Sequence, residues 1–280
     1  MKIKITTDST SDLSAALLEQ YNIGVIPLTI IKDGDGFKDR IAITPDEIFA
    51  HVAAGGDLCS TTAINIGEYA EYFEKLSEEY DGIIHINIGS HFSSCYQNAC
   101  LAAEDYPKVR VIDSKNLTTG QGLVVLKACE LAKTCTDLDA LKAELDTFTE
   151  KIETSFVLDQ LKYMVKGGRC SMVAALGANL LNLKPCIEVK DGKLTVVKKY
   201  RGSYEKCLAS YIKDRLADRD DIDHTTLFVT RTPVDASCEA AVAQLVEQNS
   251  NFQSTYWTEA GCTVSCHCGP GTLGVIFARK

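Results

Sequence analysis

The chain has 280 residues, 45% of them apolar and 24% charged, with 29 Lys and Arg against 38 Asp and Glu for a net charge of −9. That composition belongs to a globular protein with enough chain for a large core, and at about 150 residues per domain it suggests two domains. It excludes a disordered, collagen-like or fibrous protein, and a pI near 5.1 speaks against nucleic acid as the main partner, because phosphate backbones attract basic surfaces.

Lys2–Asp8 reads as a short apolar strand, and it turns polar before a signal-peptide core could form. Asp12–Tyr21 places Leu13, Ala16 and Leu17 at helical spacing, and Ile23–Ile31 is dense in β-branched residues, as in a second strand. Asp33-Gly34-Asp35-Gly36 supplies hairpin-turn chemistry. Thr44-Pro45-Asp46-Glu47 combines a capping box with Pro at the first helical position, so a helix starts there. The pattern continues with helix Ile66–Tyr80, strand Gly82–Ile88, helix Ser93–Glu104, strand Val109–Asp113 and helices Gly120–Lys133 and Leu138–Glu153. Such alternation predicts an α/β fold with a parallel sheet flanked by helices in an N-terminal domain, residues 1–155.

The remainder, residues 156–280, reads as a second α/β domain with a mixed sheet. Asp191-Gly192 joins Ile187–Val189 to Leu194–Lys199 in an antiparallel hairpin. Helices near Tyr204–Leu216 and Cys238–Glu247 alternate with strands near Thr226–Thr230 and Gln253–Trp257, and the residues after Gly274 read as a strand. No apolar run approaches the ~20 residues of a membrane helix, so no stable membrane insertion is expected and the protein is read as cytoplasmic.

Twelve cysteines include no Cys-x-x-Cys pair, the spacing that zinc ribbons and thioredoxin-type motifs require. Most, such as Cys129 and Cys207, sit in apolar periodic segments and read as small buried hydrophobes in a reducing compartment. Cys262, Cys266, His267 and Cys268 form the one metal-like cluster, with a spacing that fits no common site, so no metal is expected. Gly269-Pro270-Gly271-Thr272-Leu273-Gly274 formally matches G-x-G-x-x-G, but no helix follows it to receive a pyrophosphate. There is no Walker A sequence, H-E-x-x-H or G-x-S-x-G.

Hydroxyl-rich loops stand where predicted strands end or helices begin: Asp8-Ser9-Thr10-Ser11, Ser60-Thr61-Thr62, Ser90-His91-Phe92-Ser93-Ser94 and Asp113-Ser114. Each alone reads as a helix N-cap; together at one sheet edge they suggest an anion-binding site.

With these residues the sequence resembles the DegV family, bacterial fatty-acid-binding proteins that include the FakB subunits of fatty acid kinase. The similarity covers essentially the whole chain. Asp8-Ser9-Thr10-Ser11-Asp12-Leu13 resembles the family's opening loop, and Ser93-Ser94-Cys95-Tyr96-Gln97 its S-G-T-Y-Q segment, with Ser94 and Cys95 in place of Gly and Thr. Ile112-Asp113-Ser114 matches its I-D-S, Gly167-Gly168-Arg169 its G-G-R, and His267-Cys268-Gly269-Pro270-Gly271 its H-x-G-P-G. The family's T-S-Q-P-S appears as Thr61-Thr62-Ala63-Ile64-Asn65, which keeps the first hydroxyl.

The resemblance implies a lipid-binding protein, not itself an enzyme, that encloses one long-chain fatty acid between two domains. Thr61, Ser93 and His267 would hold the carboxylate, with Ser9, Thr62, Ser94 and Gly269 in supporting loops. A dihydroxyacetone-kinase-like fatty acid kinase would phosphorylate that carboxylate to an acyl phosphate, used in turn by acyltransferases. Arg169, Arg201 and Lys166 would serve the rim and the kinase encounter. Apart from the bound lipid no cofactor is implied. Ala174, Ala175, Leu176, Ala178, Leu180, Leu181 and Leu183 are tunnel candidates, although ordinary core packing is the preferred reading for most of them. Three alternatives remain: a serine hydrolase of acyl esters using Ser93 and His267, a lipid sensor without a kinase, and a nucleotide-binding enzyme.

Overall fold

The computed structural model describes residues 1–175 and 183–280. The first half runs β1 (Ile3–Asp8), a 3-10 turn (Ser9–Ser11), α1 (Ala15–Gln20), β2 (Gly24–Ile26), β3 (Thr29–Lys32), β4 (Asp35–Lys38), α2 (Pro45–Ala53), β5 (Ser60–Thr62), α3 (Ile66–Glu79), β6 (Gly82–Asn87), α4 (Cys95–Ala103), β7 (Val109–Asp113), α5 (Thr118–Leu131) and α6 (Leu138–Thr149). The second runs β8 (Ile152–Leu158), α7 (Lys162–Gly167), α8 (Ser171–Ala175), β9 (Leu183–Lys190), β10 (Lys193–Arg201), α9 (Tyr204–Leu216), β11 (Ile222–Arg231), α10 (Ala236–Asn249), β12 (Ser254–Glu259), α11 (Cys262–Cys268) and β13 (Thr272–Arg279).

Strands β2-β1-β6-β7 form an all-parallel sheet, as the alternating pattern predicts. Its strands are buried on both faces, and the two-residue period sorts their side chains cleanly. Ile84, Ile86 and Ile112 pack toward α5 and α6, whereas Ile83, Val109 and Val111 pack toward Tyr69 and Phe73 of α3 and Ala99 of α4. The second sheet, β10-β9-β8-β13-β11-β12, is mixed: only β11 and β12 pair in parallel. Leu227, Val229, Val275 and Phe277 face α9 and α10, while Phe228, Ile276 and Ala278 share a core with α5. Helix α5 is buried nearly all round because it is the layer common to both sheets.

The local signals hold where backbone chemistry decides. Thr44 and Glu47 make the reciprocal capping-box bonds. Asp33 and Gly34 turn the β3–β4 hairpin, and Asp191 and Gly192 the β9–β10 hairpin, with all four residues at positive φ.

Three readings need correction. Ile23–Ile31 is two strands: Pro27 and Leu28 separate β2, in the parallel sheet, from β3, in a small antiparallel sheet β4-β3-β5. Ser60-Thr61-Thr62 is the edge strand of that small sheet, with Thr61 opposite Ile30. The helix from Leu138 ends at Thr149, and Ile152–Leu158 is a strand. Cys262–Cys268, to which the sequence assigned no element, is a helix. Residues 176–182, which carry most of the tunnel candidates, lie outside the described residues; Leu183 opens β9, half-buried. Among the described residues no helix is long and apolar enough to cross a membrane.

Candidate functional site

A cavity of about 140 Å³ opens where β5, the loop before α4, the end of α7 and helix α11 meet. Leu28, Ile88, Phe92, Leu117, Met164 and Val264 give it apolar walls, and Thr61, Ser93, Ser94, Arg169, Thr263 and His267 supply polar groups. Such a mostly apolar concavity with a few convergent polar groups is the usual form of a small-ligand site.

Helix α11 is placed by the first half of the chain. Asp39, almost fully buried, accepts from the backbone N–H groups of Cys262 (2.9 Å) and Thr263 (3.3 Å) and from the Thr263 hydroxyl (2.6 Å). Asp12 accepts from the Gly261 N–H at 2.7 Å and from Arg40 at 3.2 Å. These carboxylates satisfy the donors that the start of a helix leaves open. One turn further on, His267 Nε2 meets Thr61 Oγ1 at 2.9 Å, joining the two halves at the cavity wall. Its Nδ1 is buried and unpartnered, close against Gly167, where a Cβ would come within 2.3 Å of it.

Burial pushes the His267 pKa down to about 4, and the Arg169 guanidinium acts in the same direction, so the ring is neutral at physiological pH. A folded-state value below the unfolded 6.5 contributes stability that is present at higher pH and is lost as the pH falls from 6.5 toward 4. NMR titration of the imidazole is expected to find His267 neutral until about pH 4, and Arg169→Gln to raise that midpoint. A midpoint at the unfolded value would contradict the described surroundings.

The loop between β6 and α4 presents Ser93, whose hydroxyl donates to Cys95 Sγ (3.1 Å) and accepts from the Cys95 N–H (3.2 Å). Arg169 follows Gly168, which ends α7 in the left-handed conformation at φ 69°. Its guanidinium donates to the carbonyls of Gly167 (2.6 Å) and Phe92 (3.4 Å). Ser93 has no bond to His267, so the nucleophile–base couple that a serine hydrolase needs is not assembled.

Thr61, Ser93, Ser94, Arg169 and His267 thus share one cavity. The other candidates stand elsewhere. Ser9 donates to Asp39 (2.9 Å) and accepts from the Leu28 N–H (3.1 Å), which makes it part of the support beneath α11. Thr62 is exposed in β5, opposite Thr29. Gly269 ends α11 at φ 76°, where a Cβ would strike the Tyr163 ring at 2.3 Å. Arg201, at the end of β10, and Lys166, in the last turn of α7, are exposed and do not line the cavity. Thr263 and Val264 line it without having been singled out in the sequence, and Cys268, read there only as part of a metal-like cluster, lines it too; the signal was their helical spacing around His267.

The metal-like cluster is dispersed. Cys262 donates to the Ile43 carbonyl (3.2 Å), Cys266 packs with Cys59 in a buried cluster, and His267 bonds to Thr61. Among the described residues no group of three or more His, Cys, Asp or Glu could hold a metal ion.

Comparison with known proteins bears on this arrangement. A DegV domain-containing protein of Caldanaerobacter subterraneus subsp. tengcongensis is 32% identical over 283 residues, covering 100% of this chain and 99% of that protein. The fold matches that of a DegV family protein from Thermus thermophilus, solved for its fatty acid binding, with a TM-score of 0.89, 28% identity and complete coverage of both chains. It also matches a hypothetical protein from Thermotoga maritima whose structure reveals fatty acid binding function, with a TM-score of 0.82 and 25% identity over 99% of each chain. A model of the family described as "Uncharacterised protein, DegV family" matches residues 2–280. With sequence, fold and family model agreeing over the full length, the chain belongs to the DegV family.

Proposed function

We propose that this chain binds one long-chain fatty acid and, in the cytoplasm, presents its carboxylate to a partner kinase. The observation that carries the reading is the Thr61–His267 hydrogen bond, set in the wall of an otherwise apolar cavity with Ser93 and Arg169 beside it. A carboxylate leaving water needs charge-assisted donors, and two hydroxyls, a neutral imidazole and a nearby guanidinium provide them. The acyl chain gains about 0.8 kcal/mol per methylene removed from water, so the apolar walls provide most of the affinity. The fatty acid binding described for the Thermus thermophilus and Thermotoga maritima relatives supports the same ligand class.

In this reading residues 1–155 carry the Thr61 and Ser93 carboxylate loops, 156–280 carry the His267 loop, and both halves supply acyl-chain walls, with Ser9, Thr62, Ser94 and Gly269 shaping the loops. The kinase is dihydroxyacetone-kinase-like and ATP-using, its product is an acyl phosphate for acyltransferases, and the protein is a carrier rather than a catalyst. Arg169, Arg201 and Lys166 receive the kinase or steady the transferring phosphoryl group, whose charge Arg can bind in bidentate fashion.

Protein purified from a bacterial host, denatured and extracted with organic solvent, is expected to release near-stoichiometric fatty acid by mass spectrometry. Empty protein that also refuses added fatty acid would overturn the reading. Arg201→Ala is expected to leave fatty acid affinity unchanged and to impair acyl phosphate formation with kinase and ATP. Equal loss of both would sink the separation of roles. Wild-type protein that binds lipid but yields no acyl phosphate would make it a sensor instead.

A further inference from the structure

Two thiols lie directly behind the Thr61–His267 pair. Cys59 precedes β5, two residues before Thr61, and Cys266 precedes His267 in α11. Both belong to one buried cluster with Ile30, Ile43, Ile48 and Cys262, which brings the two thiols together across the junction between the two halves. In an extended segment residues 59 and 61 point to the same side, so the contact that seats Thr61 on His267 also seats Cys59 on Cys266. No other bond in the described residues ties these two elements at that point except Thr61 to His267.

We propose that Cys59 and Cys266 are a redox modification site: peroxide converts them to a disulfide that displaces Thr61 relative to His267. The Cys59 thiol is the one that ionises, its pKa drawn down to about 7 by the Cys266 thiol beside it, while that neighbour and burial hold Cys266 protonated. The Cys59 thiolate attacks one oxygen of hydrogen peroxide, the O–O bond breaks, and the departing hydroxide takes up a proton as water. The resulting Cys59 sulfenic acid is attacked by the Cys266 sulfur. The S–O bond breaks, an S–S bond forms, and a second water leaves with the Cys266 proton. Two thiols and one peroxide thus become one disulfide and two waters, and a dithiol reductant reverses the change. A reversible disulfide of this kind is the form expected in a reducing compartment, where permanent ones do not persist.

Disulfide formation draws the sulfurs from contact distance to about 2 Å, which pulls the segment before β5 against α11. The hydrogen bond between Thr61 and His267, formed in the reduced state, is strained as a result. The consequence for lipid affinity rests on the function proposed above; the oxidation and the movement of His267 do not.

The test is to oxidise the purified full-length protein with hydrogen peroxide, alkylate the remaining thiols and map the peptides by mass spectrometry. The expected result is a linked Cys59–Cys266 peptide pair, losing the mass of two hydrogens and released by dithiothreitol. The His267 ring resonances should shift on oxidation of the wild type and stay in place in Cys59→Ser. Cys262→Ala should still form the bond. A link from Cys266 to Cys262, or no link at these residues while Cys100 and Cys135 are oxidised, would overturn the proposal, as would a disulfide that leaves His267 unmoved. With a fluorescent long-chain fatty acid, oxidation is expected to weaken binding roughly twofold to tenfold, the worth of one hydrogen bond. Absence of binding in both redox states would count against the proposed function, and the disulfide and NMR readouts would still decide the switch.

Discussion

Asp39→Ala is expected to destabilise the protein by roughly 3–5 kcal/mol, the largest single effect anticipated from this structure. The carboxylate is 1% exposed and takes four hydrogen bonds: one from Ser9, two from the backbone at the start of α11 and one from the Thr263 hydroxyl. Removing it strands all four donors at a buried junction, and each unpaired buried donor costs about 1–3 kcal/mol before relaxation. Urea unfolding followed by circular dichroism measures the change. Asp39→Asn keeps the shape and part of the bonding, so it should fall between the two. A loss below about 1 kcal/mol in the alanine variant would mean that α11 is held by its apolar contacts alone.

Thr61→Ala, Ser93→Ala and His267→Ala should each weaken long-chain fatty acid binding by roughly 1.5–3 kcal/mol, about ten-fold to over a hundred-fold in Kd. The Thr61→Ala/His267→Ala double variant should lose less than the sum, because the two side chains share the bond between them. Titration calorimetry or a fluorescent fatty acid reads the affinity, with unfolding curves as the control for stability. Unchanged affinity in Thr61→Ala and Ser93→Ala together would place the carboxylate elsewhere in the cavity.

Much of the fold was legible because local chemistry decided it. The capping box at Thr44, the glycine turns at Gly34 and Gly192 and the apolar spacing of α3 and α9 are written in a few neighbouring residues. The misreadings share another cause. Strand β8 is buried at all seven positions, so it shows no alternation, and it follows α6 after a two-residue gap that the apolar pattern does not mark. Strand β5 has three residues and no period of its own; it exists because β3 offers it a partner. Helix α11 is built from Cys, Thr, Val and Ser, poor helix formers, and is held at its start by carboxylates more than 220 residues away in sequence.

The candidate site divides along the same line. Residue type and motif brought Thr61, Ser93, Ser94, Arg169 and His267 to attention, and they line one cavity. Ser9 belongs to the same class of hydroxyl loop, yet its partner is Asp39, and only the tertiary arrangement distinguishes a supporting hydroxyl from one that faces the cavity. The lining residues Leu28, Leu117 and Met164 carry no chemical signature; they are core-like side chains that happen to border empty space.

Strand β13 lies between β8 and β11, at the middle of the second sheet, although every other strand of that sheet precedes it in the chain. A ribosome therefore delivers the central strand after its neighbours. Until Thr272–Arg279 has emerged, β8 and β11 each lack their shared partner. The second sheet therefore closes only when β13 is in place, and loss of Thr272–Arg279 would leave β8 and β11 with no strand between them.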